Sequence, residues 1–252
     1  MLYLDARVPD ALILPDHVSD LRAHLSDMGA HWFRMIPEFL DMGGSGASVE
    51  TVRSCTSGAR ARPSEPHETS RFDNFNTEPL GMQFNADQHC GYVTANVGAS
   101  GDTWSCAVRF DTSGDDPRTL FTLNPDSVDN YVFLEQKAGQ TTLKDQRTTL
   151  DLTVDTVGPE TGSRLVVAGQ SADRLWLRVQ DDPVEMTPAK SGIDLALPHN
   201  LFFGCRSNRK GLQKTLGAFV LQDVIFWPDR NILEPDHAST LQALDLPDLW
   251  EG

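Results

Sequence analysis

Trp104-Ser-Cys-Ala-Val-Arg-Phe110 decides the fold class. Successive side chains of an extended chain point to opposite sides, so Trp104, Cys106, Val108 and Phe110 share one face while Ser105, Ala107, Arg109 and Asp111 share the other. This predicts a half-buried strand. Outward from it, the stretches 119–123, 130–136, 148–154, 164–168, 174–180, 201–206 and 217–227 read as further short strands. Turn formers separate them: Gly114-Asp-Asp-Pro117, Asn124-Pro-Asp126, Gly158-Pro159, Gly169, Asp181-Asp-Pro183 and Gly211. Short strands at this spacing with no long helix between them predict an all-β, antiparallel β-sandwich and not a parallel sheet.

The N-terminal part reads differently. Asp16 is placed to cap a helix in which Val18, Leu21, Leu25 and Met28 recur at three- and four-residue spacing before Gly29 ends it. The apolar group Trp32, Phe33, Met35, Ile36, Phe39 and Leu40 follows, then Gly43-Gly-Ser-Gly46, a flexible joint by composition. Two readings of the apolar group stay open: it closes one end of the main core, or it docks on another subunit. The expected organisation is an arm over 1–45, with Trp32, Phe33, Ile36 and Phe39 as its docking residues, and a sandwich over 46–252. A short helical turn is expected near 236–246, where Ala238, Leu241 and Leu244 recur.

Composition excludes several function classes. The 252 residues carry 39% hydrophobic and 23% charged side chains, a globular balance. Lys and Arg number 21 against 36 Asp and Glu, and a net charge of -15 disfavours nucleic acid or an anionic membrane as partner. No apolar run approaches the ~20 residues of a spanning helix, so membrane insertion is not expected. Met1-Leu-Tyr-Leu-Asp-Ala-Arg-Val-Pro-Asp10 lacks the cationic and apolar regions of a signal peptide, which predicts synthesis in the cytoplasm. Cys55, Cys90, Cys106 and Cys205 fit no zinc spacing and are expected to be free, buried thiols, with a Cys90 to Cys106 bridge left open.

Catalytic signatures are missing from the sequence. Paired-carboxylate glycoside hydrolysis needs two carboxyl groups about 5–9.5 Å apart. Asp151 and Asp155 would stand about 13 Å apart on one strand. Gly43-Gly-Ser-Gly-Ala47 has no strand before it and is no nucleophile elbow. No phosphate loop, H-E-x-x-H or dinucleotide fingerprint occurs, and the expectation is a protein that is not an enzyme.

Two binding surfaces suggest themselves. On 174–180, Leu175, Leu177 and Val179 take one face, leaving Trp176, Arg178 and Gln180 on the other as a sugar-stacking platform, since an indole face offers flat apolar area beside hydrogen-bonding groups. The second is the basic turn Arg206-Ser-Asn-Arg-Lys-Gly-Leu-Gln-Lys214, in which Arg206, Arg209 and Lys210 are placed to meet sulfate or uronate groups on an otherwise acidic chain.

The order of segments resembles the concanavalin A-like, laminin G-like jelly roll. The resemblance rests on Trp104 to Phe110, on Arg164-Leu-Val-Val-Ala-Gly-Gln-Ser-Ala-Asp-Arg-Leu-Trp-Leu-Arg-Val-Gln180, on Leu201-Phe-Phe-Gly-Cys-Arg206, and on Gly217-Ala-Phe-Val-Leu-Gln-Asp-Val-Ile-Phe-Trp-Pro-Asp-Arg230, where the alternation slips by one near Gln222 and Asp223. It spans roughly residues 80–245 and is loose. It implies a non-catalytic, lectin-like module for a cell-surface or capsular polysaccharide, with calcium as the cofactor such modules hold through loop carboxylates. Asp102 and Asp173 are the candidate metal ligands, drawn from a pool that includes Asp115 and Asp116. A lectin-like chain without an export signal further suggests a spike or fibre of a phage or phage-like gene transfer particle. There the arm would bring homo-oligomer or particle subunits together, and repetition would supply avidity. A purely structural decoration protein is the alternative.

Overall fold

The alternating run at Trp104 is a strand over Trp104–Asp111 in the computed structural model of the chain, and its Trp104, Cys106, Val108 and Phe110 side chains are fully buried. The structure describes residues 17–43, 48–68, 75–77, 79–97, 103–111, 115–147, 149–155, 162–171, 174–188, 198–209 and 216–245. Asp16, residues 44–46 of the joint, Asp102, Asp173 and Lys210 lie outside the described residues.

In chain order the elements are α1 (His17–Asp27), β1 (His31–Arg34), β2 (Leu40–Met42), β3 (Val49–Arg53), β4 (Arg60–Pro63), β5 (Phe75–Thr77), β6 (Leu80–Phe84) and β7 (Tyr92–Thr94). Then follow β8 (Trp104–Asp111), β9 (Arg118–Asn124), β10 (Val132–Lys137), β11 (Gln140–Asp145), β12 (Asp151–Asp155), β13 (Ser163–Ser171) and β14 (Arg174–Val179). The series closes with β15 (Glu185–Pro188), β16 (Asn200–Phe203), β17 (Phe219–Trp227) and α2 (Ala238–Leu244). The strands form two antiparallel sheets. One runs β15-β14-β13-β8-β17-β6-β5, with β1 also on β17; the other runs β12-β11-β10-β9-β16-β7-β4-β3-β2. Their inner faces enclose one core that includes Phe33, Phe110, Phe121, Leu134, Leu177, Phe203 and Phe226.

β17 carries the slip seen in the sequence. Phe219 and Leu221 face the core, the register against β8 shifts between Leu221 and Asp223, and from there Val224 and Phe226 face it instead. The extra residue inverts the parity of the strand. It also sends Asp223 outward, together with Ile225 and Trp227.

The outer face of the first sheet is not solvated. Leu21, Leu25 and Met28 of α1, Leu244 of α2 and the intervening Phe39, Cys55, Ile232 and Leu233 pack over Trp32, Val167, Trp176, Ile225 and Trp227 in a second apolar cluster. The molecule therefore has three layers, the two sheets and a cover over the outer face of the first. Each large apolar side chain buried there contributes roughly 1.5–3 kcal/mol. Among the described residues no helix is long and apolar enough to cross a membrane.

This layering corrects the docking segment. Trp32 and Phe33 lie on β1, paired with Ile225 and Val224 of β17, and both are fully buried. Phe39 is buried and Ile36 packs against the second cluster. The apolar surface that looked available to another subunit is covered by the chain's own sandwich, and the segment 31–42 belongs to the sheets.

Candidate functional site

Side chains on the solvent side of the second sheet build the site. The backbone register puts Phe133 opposite Thr122 on β9 and opposite Lys144 on β11. A shift between Leu134 and Glu135 then brings Glu135 opposite Thr119. Because Val132 and Leu134 point into the core, Phe133 and Glu135 face outward.

Arg206, just past β16, lies over this surface. Its guanidinium carbon sits 3.7 Å from the centroid of the Phe133 ring, a cation–π contact. Its Nε donates to Thr119 Oγ1 at 3.2 Å and its Nη2 donates to Glu135 Oε2. Lys144 Nζ donates to the other Glu135 oxygen at 3.0 Å and stands 5.4 Å from the same ring. Burial is the main influence on Arg206 and lowers its pKa, while Glu135 and Tyr131 oppose it. The Tyr131 ring lies 5.9 Å from Phe133 and its hydroxyl donates to Gln146 Oε1 at 2.6 Å. Burial raises the Tyr131 pKa, with the charges of Arg206 and Arg209 pulling it back.

The turn after β16 is pinned. Thr122 Oγ1 donates to the Cys205 carbonyl at 3.1 Å, Asn124 Nδ2 to the Arg206 carbonyl at 3.0 Å, and the Glu65 N–H to Asn208 Oδ1 at 3.1 Å. Gly204 makes the turn possible at φ +70°, where an added Cβ would also run into the Phe84 ring. Arg209 emerges from this held turn exposed to solvent. No ion pair joins it to a carboxylate among the described residues. Sequence reasoning reached Arg206 and Arg209, but it missed Tyr131, Phe133, Glu135 and Lys144. The cue it had was the alternation of 130–136, which already sets Phe133 and Glu135 opposite Val132 and Leu134.

The platform expected on β14 is corrected. Leu175, Leu177 and Val179 do face the core, but Trp176 is only 9% exposed beneath the third layer and donates its Nε1–H to Ser171 Oγ at 2.9 Å. Arg178 is buried and forms a bidentate pair with Asp245, at 3.0 and 2.9 Å. Gln180 accepts from the Leu165 N–H and donates to the Ser163 carbonyl, both at 3.3 Å, which ties β14 to β13. Trp176 and Arg178 are structural because a covering layer occupies the face they point to, and half-exposed Gln180 is engaged in joining the two strands.

Asp102 and Asp173, the candidate calcium ligands, lie outside the described residues. Among the described residues no three His, Cys, Asp or Glu side chains are grouped to hold a metal ion. Glu135, the carboxylate at the Arg206 surface, already accepts from Arg206 and Lys144 with both its oxygens, and this cation-rich set does not fit calcium. The four cysteines are buried and unbridged. Burial raises their thiol pKa values, to about 12 for Cys55 and Cys205, so they are poor nucleophiles.

No family model matches the chain, and no curated protein matches its sequence. Solved structures do match its fold. The botulinum neurotoxin serotype D binding domain superposes with TM-score 0.57 at 10% identity, covering 88% of this chain and 52% of that one. The serotype D/C binding domain gives 0.53 at 7%, covering 87% and 53%. The chain thus spans about half the length of these domains. The Ruminococcus gnavus IT-sialidase CBM40 gives 0.46 at 12%, covering 64% and 92%, a score too low to carry an argument. At these identities the likeness establishes the architecture alone: an antiparallel β-sandwich.

Proposed function

We propose that the chain is a non-catalytic, lectin-like module that binds a cell-surface or capsular polysaccharide on the outer face of its second sheet. The observation that carries this reading is a set of polar groups held in place on that face, Arg206 and Lys144 fixed by Glu135 over the buried Phe133 and Tyr131 rings, with Arg209 exposed at the end of the pinned turn. Sugar recognition calls for polar groups fixed in place, and fixing them beforehand lowers the ordering cost of binding. The sandwich is also the architecture of a receptor-binding domain of botulinum neurotoxin D, at TM-score 0.56 and 10% identity, which makes a recognition role compatible with the fold.

Presentation on a multimeric, phage-like particle is part of the same proposal. A single shallow site binds weakly, and repetition multiplies its effective affinity. The buried state of Trp32, Phe33 and Phe39 requires that any assembly contact be made elsewhere than on those residues.

A glycan array probed at physiological salt tests the function. The expected result is a restricted set of bound glycans whose signal falls in Arg209→Ala while the fold is retained. Absence of binding to every glycan, with stable multimers in solution, would instead identify a structural decoration protein.

A further inference from the structure

Resting on the glycan-binding reading above, we infer that the polymer carries sulfate or phosphate esters, and that Arg60 and Arg62 on the outer face of the second sheet bind them. Ala61 between them is buried in the core, so both arginines of β4 point outward, and both are exposed. Alternate residues of a strand lie about 7 Å apart on one face, close enough for two guanidinium groups to meet one anionic group. The register sets Arg60 directly opposite Arg53 of β3, which faces outward because Val52 beside it is buried. Three cations thus share one corner of a chain whose net charge is -15, a local reversal of its field.

Like charges directly opposite on paired strands are destabilising unless something neutralises them. Asp41 of β2 does so for Arg53, at 3.1 Å, and the Glu38 carbonyl accepts from Arg53 Nη2. Arg60 and Arg62 have no such answer: among the described residues neither makes an ion pair or a side-chain hydrogen bond. The carboxylates flanking them in sequence, Glu50 and Glu65, pair with neither. On the other side Arg62 lies opposite Val93 of β7, a strand without charge. A carboxylate has two oxygens, which one bidentate guanidinium already takes up, whereas a sulfate or phosphate ester presents three and can serve two guanidinium groups together. The same outward row runs from Arg62 through Val93, Phe202 and Thr122 to Phe133, beneath Arg206. That is four strand spacings, roughly 19 Å, which a polymer of several sugar units spans.

The experiment uses the full chain and biolayer interferometry at physiological salt against one backbone in four forms: dextran sulfate, dextran phosphate, carboxymethyl dextran and dextran. The charged forms are matched in substitution, and poly(vinyl sulfate) is the sugar-free control. Wild type is expected to bind the sulfate or phosphate form at least about tenfold more tightly than the carboxymethyl form and dextran, and the two ester arms identify which is preferred. Arg60→Ala combined with Arg62→Ala is expected to lose about tenfold or more with an unchanged circular dichroism spectrum. Arg60→Lys with Arg62→Lys should recover only part of it, since an ammonium cannot bind bidentately. Arg147→Ala removes an exposed cation that is already paired with Asp129 and should bind as wild type does. Equal binding of carboxymethyl dextran, unchanged binding by the double alanine variant, or no binding of either ester would overturn this inference, while the glycan array decides the underlying reading separately. Equal binding of poly(vinyl sulfate) would keep the arginine pair as an anion site and overturn the sugar component.

Discussion

Replacing Trp176 by alanine separates a core residue from a ligand contact. The indole is 9% exposed, faces Gly169 across β13 and Met186 across β15, and lies in the cluster closed by α1 and α2. Truncating a buried Trp costs about 3–5 kcal/mol when the surroundings relax only partly. Ser171 Oγ loses the Trp176 donor at 2.9 Å but keeps Asn231 Nδ2 at 3.3 Å, so the hydrogen-bond loss adds no more than about 1 kcal/mol. We expect a total near 4 kcal/mol, a large share of the 5–15 kcal/mol typical of a domain. Urea unfolding followed by circular dichroism measures it, with wild-type and variant slopes compared to confirm that only stability changed. Glycan binding by the folded variant should equal wild type. A loss below about 1 kcal/mol, or a folded variant that no longer binds sugar, would refute the placement of Trp176 under a third layer.

The buried Asp223 gives a pH dependence. Burial raises its pKa to about 6 against an ordinary 3.8, even with Arg34 Nε 3.5 Å away, the Trp32 indole donating at 2.9 Å and Arg109 contributing charge. Between those two pH values the folded chain holds more proton than the unfolded one, so this group's contribution falls as pH rises, by at most about 3 kcal/mol. The stability advantage of wild type over Asp223→Asn should therefore shrink from pH 4 to pH 7 in urea titrations; an advantage that grows would reverse the sign. Burial lowers the pKa of His67, so its contribution is present above about pH 6.5 and is lost as pH falls, and His67→Gln should flatten the acid limb of the stability curve. Gly204→Ala should cost about 2 kcal/mol or more, because it meets both a positive φ and the Phe84 ring; a denaturation midpoint equal to wild type would show that the turn can rearrange. Chelation with EDTA should leave glycan affinity unchanged in calorimetry, and a loss would assign calcium a part in recognition.

Alternation made a great deal of this fold legible. It placed Trp104, Cys106, Val108 and Phe110 inward, did the same for Leu175, Leu177 and Val179, and located the parity change at Gln222 and Asp223. Alternation tells which side a residue takes, however, and not what waits on that side. Trp176 points away from the core as read, and what covers it comes from Leu25, more than a hundred residues earlier, and from Leu244 near the other end. β11 escaped notice because Gln140–Asp145 is mostly polar, although Thr141 and Leu143 are fully buried. The site was legible only through its cations. That Arg206 would lie on Phe133 depends on the pairing of β16 with β9 and of β9 with β10, which no local pattern encodes.

The pairing of β1 with β17 joins segments nearly two hundred positions apart, and β17 holds both β1 and β6 along a single edge. During synthesis His31–Arg34 leaves the ribosome long before its partner exists. The early segment must wait with its aromatic side chains unprotected, while intermediate hairpins such as β10 with β11 are free to zip locally. Release of the last strand is then the event that locks the first one, so nicking the backbone after β16 would strand both ends at once.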